Sequence, residues 1–271
     1  MSEFENKENF ADEKNLSGAG ENFLVQNKKV NSKKSNPAFV IMKREFSSYF
    51  SSPIAYIVGA LFLIISGFLF FPTFFIYKRA ELRNFFQLLP LIFSFFIPAL
   101  TMRIFSEEKR SGSIETLMTL PVTSAQIVWG KYLAVLISSV ILLLPTLFYV
   151  ITCVVFGRPD AGPIIGGYLG AVFLAAAYCA IGIFASSFTR NQILAFFAAF
   201  AICIALTMIG SFAIFMPGFL VNAANFISSA SHFESISRGI LDSRDILYFV
   251  SLAAVFFVLT VNSVNSQRKG K

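Results

Sequence analysis

Side chains able to do chemistry are few in this chain and gather in two short stretches. The first is 106-SEEKRSGSIETLMTLPVTSAQIVWGK-131, where Glu107, Glu108, Lys109 and Arg110 interrupt an oily sequence near its middle. The second is 232-HFESISRGILDSRD-245, which holds the single histidine, His232, among Glu234, Arg238, Asp242, Arg244 and Asp245. Hydrolysis inside a membrane would need a base or a metal cluster at depth, and no apolar run carries one. Proton- or ion-coupled carriage usually places ionisable groups near mid-span, and these too are missing. The pair 130-GK-131 lacks the upstream glycine and the following Ser/Thr of a phosphate-binding loop, so no nucleotide is cradled by that means. Cys153, Cys179 and Cys203 stand singly, without metal or disulfide spacing, and read as small packing residues.

The elements that position these stretches are written in the composition. The 271 residues are 56% hydrophobic and only 14% charged, with 34 phenylalanines, far from the usage of soluble domains. Uncharged runs long enough for spanning helices recur six times. The expectation is an all-α polytopic membrane protein with spans near 53–77, 84–102, 130–156, 163–188, 191–216 and 246–265. The run 191–231 has 41 residues, about 60 Å as one helix against a hydrocarbon core of about 30 Å. It must break, and Pro217-Gly218 is the expected place. Residues 219–231 then form a re-entrant or interfacial piece.

Charge sets the orientation. Residues 1–36 carry six acids and six lysines, so the net +7 belongs to the remainder. With six spans and a cytoplasmic N-terminus, Lys and Arg near the membrane number 12 inside and 6 outside, which favours both termini in the cytoplasm. Basic residues that track topology do not imply nucleic-acid binding. Residues 1–36 lack the pattern of a cleavable signal peptide and read as a disordered cytoplasmic tail, with 37–271 as the membrane domain.

Before the first span, 39-FVIMKREFSSYF-50 sets Phe39, Met42, Phe46, Tyr49 and Phe50 on one helical face and Lys43, Arg44, Ser47 and Ser48 on the other, an interfacial helix. It could anchor the first span or link the membrane domain to something beneath it. In the central stretch, Ser111-Gly112-Ser113 signals a helix start. Ile114, Leu117 and Met118 follow at i, i+3 and i+4, with Glu115 on the polar side. Leu120-Pro121 ends that helix, and Thr123 to Gln126 fits a capping box for the next. The loop is either simply solvated or a stiff, apolar-tipped plug for a groove on a soluble partner. In 232–245, one amphipathic helix is expected, with Glu234–Arg238 and Arg238–Asp242 ion pairs and Phe233, Ile236 and Ile240 on another face.

The run 102-MRIFSEEKRSGSIETLMTLPVTSAQIVWGKYLA-134 resembles the cytoplasmic loop of ABC-2-type transporter permeases, and within them the gliding-motility-associated group. The resemblance extends to 43-KREFSSYFSSPIAY-56 and to 232-HFESISRGILDSRDILYF-249. It implies a six-span permease subunit of an ATP-driven exporter, itself without catalysis, in a bacterial cytoplasmic (inner) membrane. It implies a second permease copy, identical or different, and a separate P-loop ATPase holding ATP and magnesium. This chain itself would bind no cofactor. A coupling helix near 113–119 would enter the ATPase, using Ile114, Leu117 and Met118 as the plug. Glu107, Glu108, Arg110, Ser113 and Glu115 would rim it, and Gly112 and Pro121 would frame it. Phe39, Met42, Lys43, Arg44 and Phe46 would belong to the connecting helix. Pro217, Gly218, His232, Glu234, Arg238, Asp242, Arg244 and Asp245 would belong to the outer re-entrant segment. Rival readings are a secondary carrier without an ATPase and a membrane anchor of an envelope or motility complex.

Overall fold

Proline at the first turn costs a helix nothing, because that N–H has no partner in any case. Pro37 and Pro53 begin the first two helices, α1 (Pro37–Ser51) and α2 (Pro53–Tyr77). The computed structural model describes residues 36–77, 81–115, 121–157, 159–212 and 217–269. Among these the chain continues as α3 (Arg83–Thr101), α4 (Ser106–Ser111), α5 (Ser124–Leu143), α6 (Leu147–Phe156), α7 (Ala161–Phe188), α8 (Gln192–Met208), α9 (Gly218–Ile227), α10 (Ser229–Ser237) and α11 (Ser243–Lys269). No strand occurs among the described residues.

Five helical runs are long and apolar enough to cross a membrane: Pro53–Pro72, Arg83–Ser111, Ser124–Phe156, Ala161–Phe188 and Ser243–Arg268. The protein is a multi-pass membrane protein. The third run contains a 3-10 turn at Leu144–Thr146 between α5 and α6, where Pro145 removes a helix donor.

The expected span 191–216 is shorter than its apolar run. α8 ends at Met208, just before Gly210, which packs closely against Ser228 between α9 and α10. A Cβ on Gly210 would lie 2.6 Å from Ser228 Oγ. The break therefore comes before Pro217, which instead precedes α9 as its N-cap.

The single amphipathic helix expected over 232–245 is also two pieces. Ser228 caps α10 by accepting from Ser231 N, and Gly239, at φ +85°, ends it. Asp242 then caps α11, its Oδ1 accepting from Arg244 N at 3.0 Å. The Glu234–Arg238 pair forms at 2.5 Å, whereas Arg238–Asp242 does not, since the turn at Gly239 takes the two residues off a common helix. Phe233 and Ile236 are buried, but Ile240, past the turn, is 63% exposed.

α7 is the spine, touching α3, α4, α5, α8, α10 and α11. Its inward face is small: Gly166, Gly167, Gly170, Ala171, Ala175 and Gly182 are buried, and small residues let helices approach closely where apolar lipid offers no hydrophobic drive. The Phe86 ring lies 2.5 Å from where a Gly167 Cβ would be, and a Cβ on Gly182 would fall inside the Thr101 side chain. Cys153, Cys179 and Cys203 are buried and free, which fits packing. α2 and α11 leave most side chains outward, as helices bathed in lipid can.

Overpacking this spine is costly, by about 1–3 kcal/mol for each added bulk. Gly182→Leu is expected to lower the melting temperature of the detergent-purified protein by several degrees. Gly162→Ala, in open space, should leave it unchanged.

Candidate functional site

The loop between α3 and α5 is held at both ends. After α3, Ser186 of α7 accepts from the backbone N–H of Phe105 and of Ser106, each at 3.1 Å, and donates to the Met102 carbonyl at 2.9 Å. Lys109 Nζ donates to the Ser187 carbonyl. One serine hydroxyl thereby satisfies the exposed amides where α4 begins. α4 ends at Gly112, whose φ of +75° suits a residue without a Cβ. At the far end, Thr123 and Gln126 make the expected capping box, and Arg268 of α11 donates to the Val122 carbonyl at 2.9 Å.

α1 crosses α5 at a glycine. A Cβ on Gly130 would meet the Ala38 carbonyl oxygen at 2.7 Å and Ile41 Cβ at 2.8 Å, so only glycine lets these backbones touch. The next residue, Lys131, is fully buried. Its ammonium donates to Glu108 Oε1 at 2.7 Å, Glu45 Oε1 at 3.1 Å and the Ile104 carbonyl at 3.2 Å. Three protons meet three acceptors, which a buried ammonium requires. The Phe105 ring lies 5.1 Å from Nζ. Arg44 closes the cluster at 2.9 Å from Glu45 and 3.5 Å from Glu108.

Two cations and two anions thus tie α1, α4 and α5 together. Burial by itself would raise the Glu45 pKa, but the Lys131 charge and the Arg44 and Lys131 hydrogen bonds outweigh it and hold Glu45 below the usual glutamate range. Beside the cluster, Tyr49 donates to the Leu100 carbonyl at 2.5 Å. Arg103 lies 4.6 Å over the Tyr49 ring and donates to Ser52 at 2.8 Å. Between α1 and α4 a recess of about 610 Å³ opens, lined by Arg44, Ser48, Arg103, Glu107, Glu108 and Ser113 among others.

The expected loop residues divide. Glu107, Arg110, Gly112, Ser113, Glu115 and Pro121 are exposed. Ser113 to Glu115 are helical, and Ile114 is half-buried, packed against the core. Leu117 and Met118 lie outside the described residues. Glu108 belongs to the buried cluster, because its Oε1 lies nearest to Lys131. In α1, Phe39 is 58% exposed, Met42 and Phe46 are half-buried, and Lys43 and Arg44 are exposed. Of the expected apolar face, Tyr49 is buried, Met42, Phe46 and Phe50 are half-buried and Phe39 is exposed, while Ile41 on the neighbouring edge is buried as well. Sequence reading missed Glu45, Lys131 and Ser186. A lysine directly after a glycine at the entry of an apolar run is the one local signal for Lys131, and nothing local points to Glu45, 86 positions away.

At the other end of the bundle, His232 lies 2.6 Å from Asp245 and stacks on Tyr248 at 4.2 Å. Glu234 and Arg238 pair on the surface, and Asp242 caps α11 by accepting from the backbone N–H of Arg244. Pro217 and Gly218 open α9. Among the described residues no group of three or more His, Cys, Asp or Glu side chains could hold a metal ion.

The model of the family described as ABC-2 family transporter protein matches residues 21–263. No curated protein matches the chain. The matched stretch takes in the loop, the cluster around Lys131 and the hairpin of α9 and α10, and begins within the segment read above as a tail.

Removing one partner from a buried ion pair costs about 3–5 kcal/mol, whereas replacing the whole set by apolar groups costs far less. Glu108→Ala alone is therefore expected to destabilise the protein strongly in detergent melts. The triple change Lys131→Met, Glu45→Leu, Glu108→Leu should recover much of the loss. The Glu45 shift has a definite sign. Its stabilisation is complete above the unfolded pKa and is lost as pH falls through the lower folded one. Stability from this group should stay level at neutral pH and decline only below about pH 4.3. Glu45→Gln should flatten that acid limb.

Proposed function

The chain belongs to the ABC-2 family of transporter proteins, and on that footing we propose that it is the membrane-spanning permease subunit of an ATP-driven exporter. Hydrolysis occurs on a separate P-loop ATPase that carries the ATP and magnesium, and a second permease copy, identical or different, completes the translocation path. Both termini and the loop around α4 face the cytoplasm of a bacterial inner membrane. Residues 1–36 form a cytoplasmic tail outside the membrane domain. The resemblance of the loop and of the segments beside α2 and α11 favours the gliding-motility-associated group within the family.

The observation that carries this reading is the mechanical state of the loop. A solvated connector needs no tether, but this one is joined to α1 and α5 through Lys131, to α7 through Ser186 and Ser187 and to α11 through Arg268. Force applied at Ile114 and the helix that starts at Ser113 would therefore reach four elements as one rigid unit, as rigid-body switching demands. Ile114, Leu117 and Met118 form the plug that enters the ATPase. The recess between α1 and α4, edged by Arg44, Glu107 and Glu108, receives side chains of the same partner, with Arg110, Ser113 and Glu115 at its rim. Gly112 and Pro121 frame the plug. In α1, Phe39, Met42 and Phe46 rest in the interface with Lys43 toward the headgroups, while Arg44 stays with Glu45 and Glu108 at the recess.

A detergent pull-down from native membranes tests the assignment, comparing wild type with Ile114→Asp/Leu117→Asp at equal insertion. A P-loop ATPase should accompany wild type and fall at least about tenfold with the variant, since two buried acids each cost more than 1.4 kcal/mol. Full retention of the ATPase by the variant would refute the coupling role. Transport that follows an ion gradient with no soluble subunit would instead favour a secondary carrier.

A further inference from the structure

The outer hairpin is fastened through one imidazole. His232 Nδ1 lies 2.6 Å from Asp245 Oδ1, and Nε2 lies 2.9 Å from the Phe226 carbonyl oxygen. A carbonyl oxygen only accepts, so Nε2 carries a hydrogen. A neutral ring would then aim the Nδ1 lone pair at the Asp245 carboxylate, and two lone pairs do not hold each other at 2.6 Å. Both contacts can hold at once only when the pair carries one proton more than a neutral imidazole plus an ionised carboxylate. Whether that proton rests on Nδ1 or on Oδ1, the count is the same.

The surroundings make this proton matter. Asp245 is buried and its Oδ2 has no partner. Among the described residues His232 is the one cationic side chain within salt-bridge distance of it. The ring is fixed by stacking on Tyr248 of α11 at 4.2 Å, and the Tyr248 hydroxyl donates to the Ile227 carbonyl at 2.5 Å and lies 3.3 Å from Ser229 Oγ. Other titratable groups are engaged elsewhere or lie apart. On α10, Glu234 and Arg238 pair with each other. α7 offers Tyr178, bound to Thr207 of α8 at 2.6 Å, and Asp160 at its N-cap. α8 adds buried Cys203, α3 adds Arg83 at its start, and α11 adds Arg244 beside Asp245.

α9 has little else to hold it. Of its described side chains Ala224 alone is buried, and its C-terminal carbonyls at Phe226 and Ile227 are the ones bound by His232 and Tyr248.

We propose that the His232–Asp245 pair is a proton-operated clasp that closes the hairpin of α9 and α10 onto the head of α11. With the proton bound, the ring bridges Phe226 and Asp245. Once it is lost, one of the two bonds becomes a lone-pair clash, and α9 is released. The inference does not depend on the transport reading, because it concerns the hairpin of the isolated chain.

Hydrogen–deuterium exchange of the full-length protein in detergent tests it, from about pH 5 to about pH 9 across the usual histidine range. Rates are corrected for the intrinsic pH dependence of exchange. Peptides over 218–231 should lose protection by about tenfold as pH rises, the scale of one lost hydrogen bond, while peptides within α7 stay level. Asp245→Asn is the decisive variant. An amide can donate to Nδ1 of a neutral ring whose Nε2–H still reaches Phe226, so the hairpin should stay protected at every pH. His232→Gln should remove the pH step. A wild-type profile without a step, a step that survives His232→Gln, or a step unchanged in Asp245→Asn would each overturn the clasp.

Discussion

An ammonium cut off from water must find every acceptor inside the protein, and that demand organises the loop end of this bundle. Lys131 is placed on α5 by a helix whose start is fixed by the Thr123 capping box. Once it is buried, Glu45 of α1 and Glu108 of α4 have to come to it. Neither glutamate could be spared without leaving charge stranded at low dielectric. A short polar loop and an amphipathic helix, each marginal alone, are thereby made parts of one bundle. The same demand explains why Gly130 precedes the lysine. Any side chain there would meet the α1 backbone at Ala38 and push α1 away from the lysine.

The bundle above this end obeys a different constraint. Lipid is as apolar as phenylalanine, so burial of oily surface does not drive helices together. Association then depends on contact distance and on hydrogen bonds that have no alternative partner. α7 meets the first condition with glycine and alanine along its inner face. Ser186, Tyr178 and Thr207 meet the second, each pairing across helices. Outward faces are free to be greasy, which accounts for much of the phenylalanine content without giving it a role in recognition.

The hairpin end shows how a local break redirects chemistry-bearing groups. Gly210 and Gly239 place turns where the periodicity of the apolar residues runs on. The pieces between them fold back so that His232 and Asp245 meet. Along the sequence these two read as members of one charged amphipathic helix. In three dimensions they lie on different helices, facing each other across the junction.

Much was legible in the chain itself. Uncharged runs of membrane length follow from the cost of unsatisfied polar groups in hydrocarbon, and they yielded the all-helical, multi-pass class. The capping residues at Thr123 and Gln126, the helix before α2 and the motif-rich central loop are local signals, and the family match is in accord with what that loop resembled. The partners of charges were not legible. Glu45 and Lys131 are 86 positions apart, and no periodicity relates them. The end of α8 at Met208 was hidden because the apolar pattern continues past it, and the choice of Gly210 as the turn is made by Ser228 of another element. Sequence alone determined that the chain is all-helical and multi-pass, since that depends on composition over a window. Tertiary structure alone decided which ionisable groups share a buried site, since that depends on where helix crossings bring distant residues within hydrogen-bonding reach.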